Sequence, residues 1–188
     1  MSACIPYAFT LLLLAGPAVP AAPPAQDDAK SRAQAFARSF YDWYTEAGQD
    51  RNVEVVLLLK KDVLAPELYE ALKADAEVTS KAEGELVGLD FDPFLNTQEA
   101  SQPFDAGTAV AKGDSWWVPL TDRKSHVLRV TAEVTCAAAG CRIANLHYPA
   151  QELPENENLV SILKVLARDR AKAATAAKAP ADAKRSRK

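Results

Sequence analysis

A chain of 188 residues, 48% hydrophobic and 25% charged with a net charge of −3, holds one domain's worth of sequence and enough apolar material for a core. That composition excludes a disordered polymer. The apolar run from Ala8 to Gly16 is too short to cross a bilayer comfortably as a helix. Followed by Val19-Pro20-Ala21, it instead reads as a secretory leader over residues 1–21, although no Lys or Arg precedes it. A retained anchor is the alternative. Cys4 would leave with the leader, and Pro17 stands where a lipid-modified cysteine would be needed. Residues 22–29 read as a flexible Ala/Pro lead-in to a single domain over residues 30–170. The expected location is therefore the periplasm or the medium, which argues against a nucleic-acid partner.

The first helix is predicted from about Asp28 to Ala47. Phe36, Phe40, Trp43 and Tyr44 recur on one face, as a core stripe does; ligand stacking is the rarer use of that pattern. Gly48 is a natural stop. Val53 to Leu64 fits a β-branched strand or a short helix, and the helix is favoured. Ala65-Pro66-Glu67 opens another helix, since Pro is tolerated in the first turn and Glu suits the positive end. Leu68, Ala71 and Leu72 face inward, and the pattern fades near Val78.

Beyond residue 100 the period becomes two. Thr108–Lys112 and Trp116–Leu120 read as strands around Gly113-Asp114, with Pro119 requiring an edge or a bulge. Val127–Cys136 alternates cleanly, placing Leu128, Val130, Ala132 and Val134 on one face. Cys141–Tyr148 is the fourth strand. A last helix runs from about Glu157 to Arg170 with Leu159, Ile162, Leu163 and Leu166 as its stripe. Helices, then an antiparallel meander of about four strands, then a helix indicate an α+β two-layer domain.

Cys136 and Cys141 flank a short loop containing Gly140. In an exported chain they most simply form a disulfide across a hairpin. Zinc would need further ligands, for which only His126 and His147 are on hand, and neither a metal nor a cofactor is expected. If the cysteines face each other, a regular ladder pairs Val134 with Ile143, Ala132 with Asn145 and Val130 with His147. Asn145 and His147 would then lie on the apolar face, with His126 further along it. They are either satisfied structural groups or the lining of a ligand pocket. Asp90 and Asp92, in Gly88-Leu-Asp-Phe-Asp-Pro-Phe-Leu95, are the other candidates. Asp92-Pro93 suits turn chemistry, in which the carboxylate accepts backbone N–H bonds; a cation site would need more oxygens. No phosphate loop, zinc-protease helix or nucleophile elbow appears, so no catalytic residue is named.

Residues 171–188 carry six basic side chains against Asp182, a net +5, which leaves −8 on residues 1–170 within the chain's total of −3. The tail lacks large apolar residues and reads as disordered and solvated, with weak contact to anionic envelope polymers or lipid headgroups as its functional alternative.

Phe40-Tyr41-Asp42-Trp43-Tyr44, Ala65-Pro66-Glu67-Leu68, Leu89-Asp90-Phe91-Asp92-Pro93-Phe94-Leu95 with Gln98, and Arg142-Ile143 with Asn145-Leu146-His147-Tyr148 occur in that order. Over residues 33–170 the chain resembles the bacterial envelope family called domain of unknown function 3828. An aromatic residue commonly precedes the Arg-Ile step in that family, and Cys141 takes its place here. The resemblance implies helices packed on a curved antiparallel sheet, of the NTF2-like or cystatin-like kind, and it implies no activity. The expected function is a non-catalytic periplasmic binding or protein-interaction domain for an envelope protein or small ligand. The alternatives are an inhibitor or immunity protein against a cell-wall hydrolase, and a small NTF2-like pocket enzyme using His147 or Asp90.

Overall fold

Each amphipathic segment buries its apolar stripe against one side of a sheet. The computed structural model describes residues 24–49, 51–82, 88–98, 103–149 and 157–185; the segment expected to be a leader, residues 1–21, lies outside them. Helix α1 spans Pro24–Tyr44. It takes in residues 24–29, read from sequence as flexible, because Pro costs nothing in a first turn and Asp27 meets the positive helix end. Ala33, Ala37, Phe40, Tyr41 and Tyr44 are its buried stripe, with Phe36 and Trp43 on the flank. The burial axis is thus turned toward Tyr41 relative to the predicted stripe. Helix α2, Val53–Leu59, is capped by the Asn52 side chain, which accepts a bond from the Val55 N–H. A 3-10 turn, Lys61–Val63, leads to Leu64, which lies beside Ile143. Helix α3, Pro66–Thr79, starts on its proline and buries Leu68, Leu72 and Asp75.

The sheet has five strands: β1 Phe104–Ala106, β2 Val110–Lys112, β3 Ser115–Asp122, β4 Leu128–Ala137 and β5 Gly140–His147. All the strand pairs are antiparallel. β1 and β2 both pair with β3, one after the other, and β4 and β5 complete the order. Pro119 sits in β3 where the edge passes from β1 to β2. Its carbonyl accepts the Gly107 N–H at 2.8 Å, so its missing donor falls in the break between the two edge strands. The predicted edge or bulge thus takes the form of an interrupted neighbour. Gly107 is required there, because a Cβ would stand 2.9 Å from the Pro119 ring. On the far side, Leu64 and Asn158 each bridge to β5 and cover its edge.

Cys136 and Cys141 are disulfide-bonded across the β4–β5 hairpin. From there the predicted register holds through Thr135–Arg142 and Val134–Ile143, then slips. Ala144 is an extra residue in β5, so Glu133 faces Asn145, Ala132 faces Leu146 and Thr131 faces His147. The placement of Asn145 and His147 on the apolar face is therefore wrong. The reason is energetic. A regular ladder would bury an amide and an imidazole and expose Leu146; the bulge puts Leu146 and Tyr148 in the core instead. Burying a leucine stabilises by about 1.5–3 kcal/mol, whereas unmatched polar burial costs a similar amount. His126 was also expected on that face. It lies exposed in the β3–β4 turn with φ 56°, its N–H bonded to the Asp122 carbonyl.

Helix α4 spans Leu159–Arg185 and packs Leu159 and Leu163 inward. It continues through most of the segment read as a disordered tail. Alanine and lysine are good helix formers, and a nucleated helix propagates through them without apolar anchors. The architecture is α+β: helices from both ends of the domain cover an antiparallel sheet.

Candidate functional site: a cleft beside the 88–98 loop

The loop from Gly88 to Gln98 is held by hydroxyls from three tyrosines. Tyr41 donates to the Phe94 carbonyl at 2.9 Å, Tyr148 to the Pro93 carbonyl at 3.0 Å, and Tyr44 to Asp92 Oδ2 at 2.8 Å. The other Asp92 oxygen accepts the N–H groups of Phe94 at 2.8 Å and Leu95 at 3.2 Å. The Asp92 N–H donates to the Thr97 carbonyl, and the Asp92 carbonyl accepts from Asn96, which adopts a left-handed φ of 51°. Phe94 and Leu95 are thereby driven into the core. Asp92 thus performs the turn chemistry expected of Asp-Pro. Burial pushes its carboxyl above the ordinary aspartate range, and the bonds from Tyr44, Phe94 and Leu95 pull against that rise. Burial also raises all three tyrosines, and the Asp92 charge adds to the rise.

A second acid, Asp75, was not singled out in the sequence. It holds the third place of the α3 stripe, i+7 from Leu68, and that charge in an apolar position was the available signal. Asp75 accepts the Leu89 N–H at 3.1 Å and pairs with Arg170 of α4 at 2.5 Å. Its side chain is 6% exposed and that of Arg170 21%. The carboxylate joins α3, the loop and α4 at one point. Gly88 is obligatory beside it, since a Cβ there would lie 2.8 Å from Asp75 Oδ2 and collide with Thr79 Oγ1.

Between α3, the start of α2 and the loop lies a cleft of about 640 Å³. Val53, Leu72, Ala76, Leu89, Phe91 and Pro93 supply its apolar wall. Glu54 and Asp90 are exposed at its rim, while Asp75 and Asp92 line it with oxygens already engaged. Its size falls within the range that small-molecule sites occupy.

The remaining candidates lie elsewhere. Asn145 Oδ1 accepts the Val160 N–H at 3.1 Å, and its amide donates to Asn158, which itself accepts from Ser161. The two asparagines together satisfy the first turn of α4. His147 Nε2 lies 2.8 Å from Glu133, and its ring stacks on Trp117 at 3.9 Å. Lys112 Nζ sits 3.5 Å from the centre of the same indole. Neither Asn145, His147 nor His126 lines the cleft. Among the described residues, no three His, Cys, Asp or Glu side chains gather as a metal site would need. No protein-family model, curated protein or solved structure matches the chain.

Proposed function

We propose that the protein is a binding or protein-interaction domain of the bacterial envelope, without catalysis of its own, and that the cleft is where it binds. The observation that carries this reading is the fixed cleft wall. The loop is pinned by Tyr41, Tyr44 and Tyr148, and the inner acids are committed to frame bonds. A carboxylate holding three donors is poorly placed to shuttle protons, whereas a preorganised apolar wall with Asp90 and Glu54 at its rim suits an amphipathic ligand. The leader pattern and the hairpin disulfide support export to the periplasm or beyond. The resemblance to the envelope family supports the same location and an NTF2-like or cystatin-like descent for the α+β frame.

The acidic excess on residues 1–170 favours a second reading, an inhibitor or immunity protein that covers a basic cell-wall hydrolase. A pocket enzyme ranks lower: His147 is held against Glu133 and Trp117 away from the cleft, and Asp90, the other candidate, stands exposed at its rim. Native mass spectrometry of the protein recovered from its envelope fraction tests the first reading. A small molecule should be retained by the wild type and lost in Ala76→Phe, which fills the cleft. Retention by Ala76→Phe, or salt-sensitive recovery of a hydrolase in place of a small molecule, would move the assignment away from the cleft.

A further inference from the structure

The α2 helix has the sequence Val-Glu-Val-Val-Leu-Leu-Leu and buries only Val56 fully. Its last turn leaves Leu58 80% and Leu59 64% exposed. A lone exposed leucine is ordinary, but two adjacent ones on one helical turn are not explained by core packing. Lys60 and Lys61 follow directly. Lys60 Nζ lies 4.8 Å from the Trp43 ring centre, and the Arg51 guanidinium lies 4.7 Å from it. Arg51 also pairs with Glu46; the further acids on this segment are Glu54, exposed one turn before Leu58, and Asp62, exposed next to Lys61. Among the described residues neither lysine pairs with a carboxylate. A lysine at a helix C-terminus favours the helix dipole, which accounts for Lys60 but not for the leucines.

We infer that Leu58, Leu59, Lys60 and Lys61 form a docking tip for an anionic lipid surface, with Trp43 and Arg51 at its margin. Size decides between occupants. A stable protein interface needs about 800 Å² per partner, and two leucine side chains ringed by charges fall well short. A bilayer needs no matched shape. Two leucines entering the acyl boundary, with lysines at headgroup level, give weak and reversible attachment. The attraction is local, because the body as a whole is acidic. This surface is separate from the cleft, so either assignment can fail without the other.

The test uses the chain from Ala22, since among the described residues the buried core runs from Ala33 to Leu163. It is sedimented with vesicles of phosphatidylcholine mixed equally with phosphatidylglycerol, and with vesicles of phosphatidylcholine alone. Binding is expected on the mixed vesicles, weaker on the neutral ones, and reduced at least about tenfold by Leu58→Glu with Leu59→Glu. Lys60→Glu with Lys61→Glu should abolish the preference for the mixed vesicles. Val110→Glu, at another exposed apolar position, should bind as wild type. Leu58, Leu59, Lys61 and Val110 are exposed, and Lys60 is half-buried over Trp43; circular dichroism should show every variant folded. Equal binding by the double leucine variant would overturn the proposal and assign attachment to the basic C-terminus. So would absence of vesicle binding, or a concentration-dependent dimer that the leucine variant abolishes.

Discussion

Asp92 brings three backbone and side-chain donors to one half-buried carboxylate, and the cleft wall depends on it. Asp92→Ala strands the Phe94 and Leu95 N–H groups and the Tyr44 hydroxyl, and should cost about 3 kcal/mol in urea unfolding. Asp92→Asn keeps the Oδ1 acceptor and can donate to Tyr44, so it should cost less than half as much. The pH dependence has a definite sign. The folded carboxyl binds its proton more tightly than the unfolded one, since burial raises it. Its contribution is therefore largest below the unfolded value and is lost as pH rises through the folded value. Relative to Asp92→Asn, the wild type should gain stability as pH falls toward the ordinary aspartate range. A constant difference between the two would show that the carboxyl is not perturbed. Asp122 acts oppositely. The N–H groups of Ser125 and Lys124 bond its carboxylate in the β3–β4 turn and hold it below the usual range. That contribution is present above the unfolded value and disappears as pH falls through the folded one. In acid titrations Asp122→Asn should flatten this loss.

Two devices fix the elements. One is the hairpin disulfide. Replacing Cys136 and Cys141 with serine should lower stability by about 2 kcal/mol, the loop being short, while leaving the sheet in place. The other is the Asp75–Arg170 pair, which fastens α4 across α3 and the loop. Arg170→Ala leaves a buried carboxylate with only the Leu89 N–H for company, and should cost about 3 kcal/mol and loosen hydrogen exchange at Leu89. An effect below about 0.5 kcal/mol would mean that water replaces the guanidinium freely. Much of this level was legible in the sequence. Period two placed β3, β4 and β5, period 3.6 placed α1, α3 and α4, and the Cys spacing placed the staple. The three-residue β1 was missed because it shows no period; the equally short β2 was legible only beside the Gly113-Asp114 turn. The extra residue Ala144 was invisible because the hairpin register was extrapolated from its mouth, and only the competition between Leu146 and His147 for the core reveals the bulge. The site was legible in part. Asp90 and Asp92 do line the cleft, but Asp75, Leu72 and Ala76 reach it from α3 through tertiary packing that no local pattern encodes.

At the scale of the molecule, the proposed envelope location rests on the leader pattern, beside which stand an acidic body and a basic C-terminal segment. If the leader is removed after Ala21, intact-mass measurement of protein from the envelope fraction should give a chain beginning at Ala22; a chain retaining Met1 would favour an anchor. The frame places the cleft at the junction of α2, α3 and the pinned loop, the last two tied together by Asp75. The most direct test of the cleft as the binding locus is hydrogen exchange of the wild type with and without the small-molecule fraction of envelope extract. The account predicts added protection confined to residues 53–54, 72–79 and 89–98. Protection over the outer residues of β3 to β5, around Trp117 and His147, with those segments unchanged would contradict it.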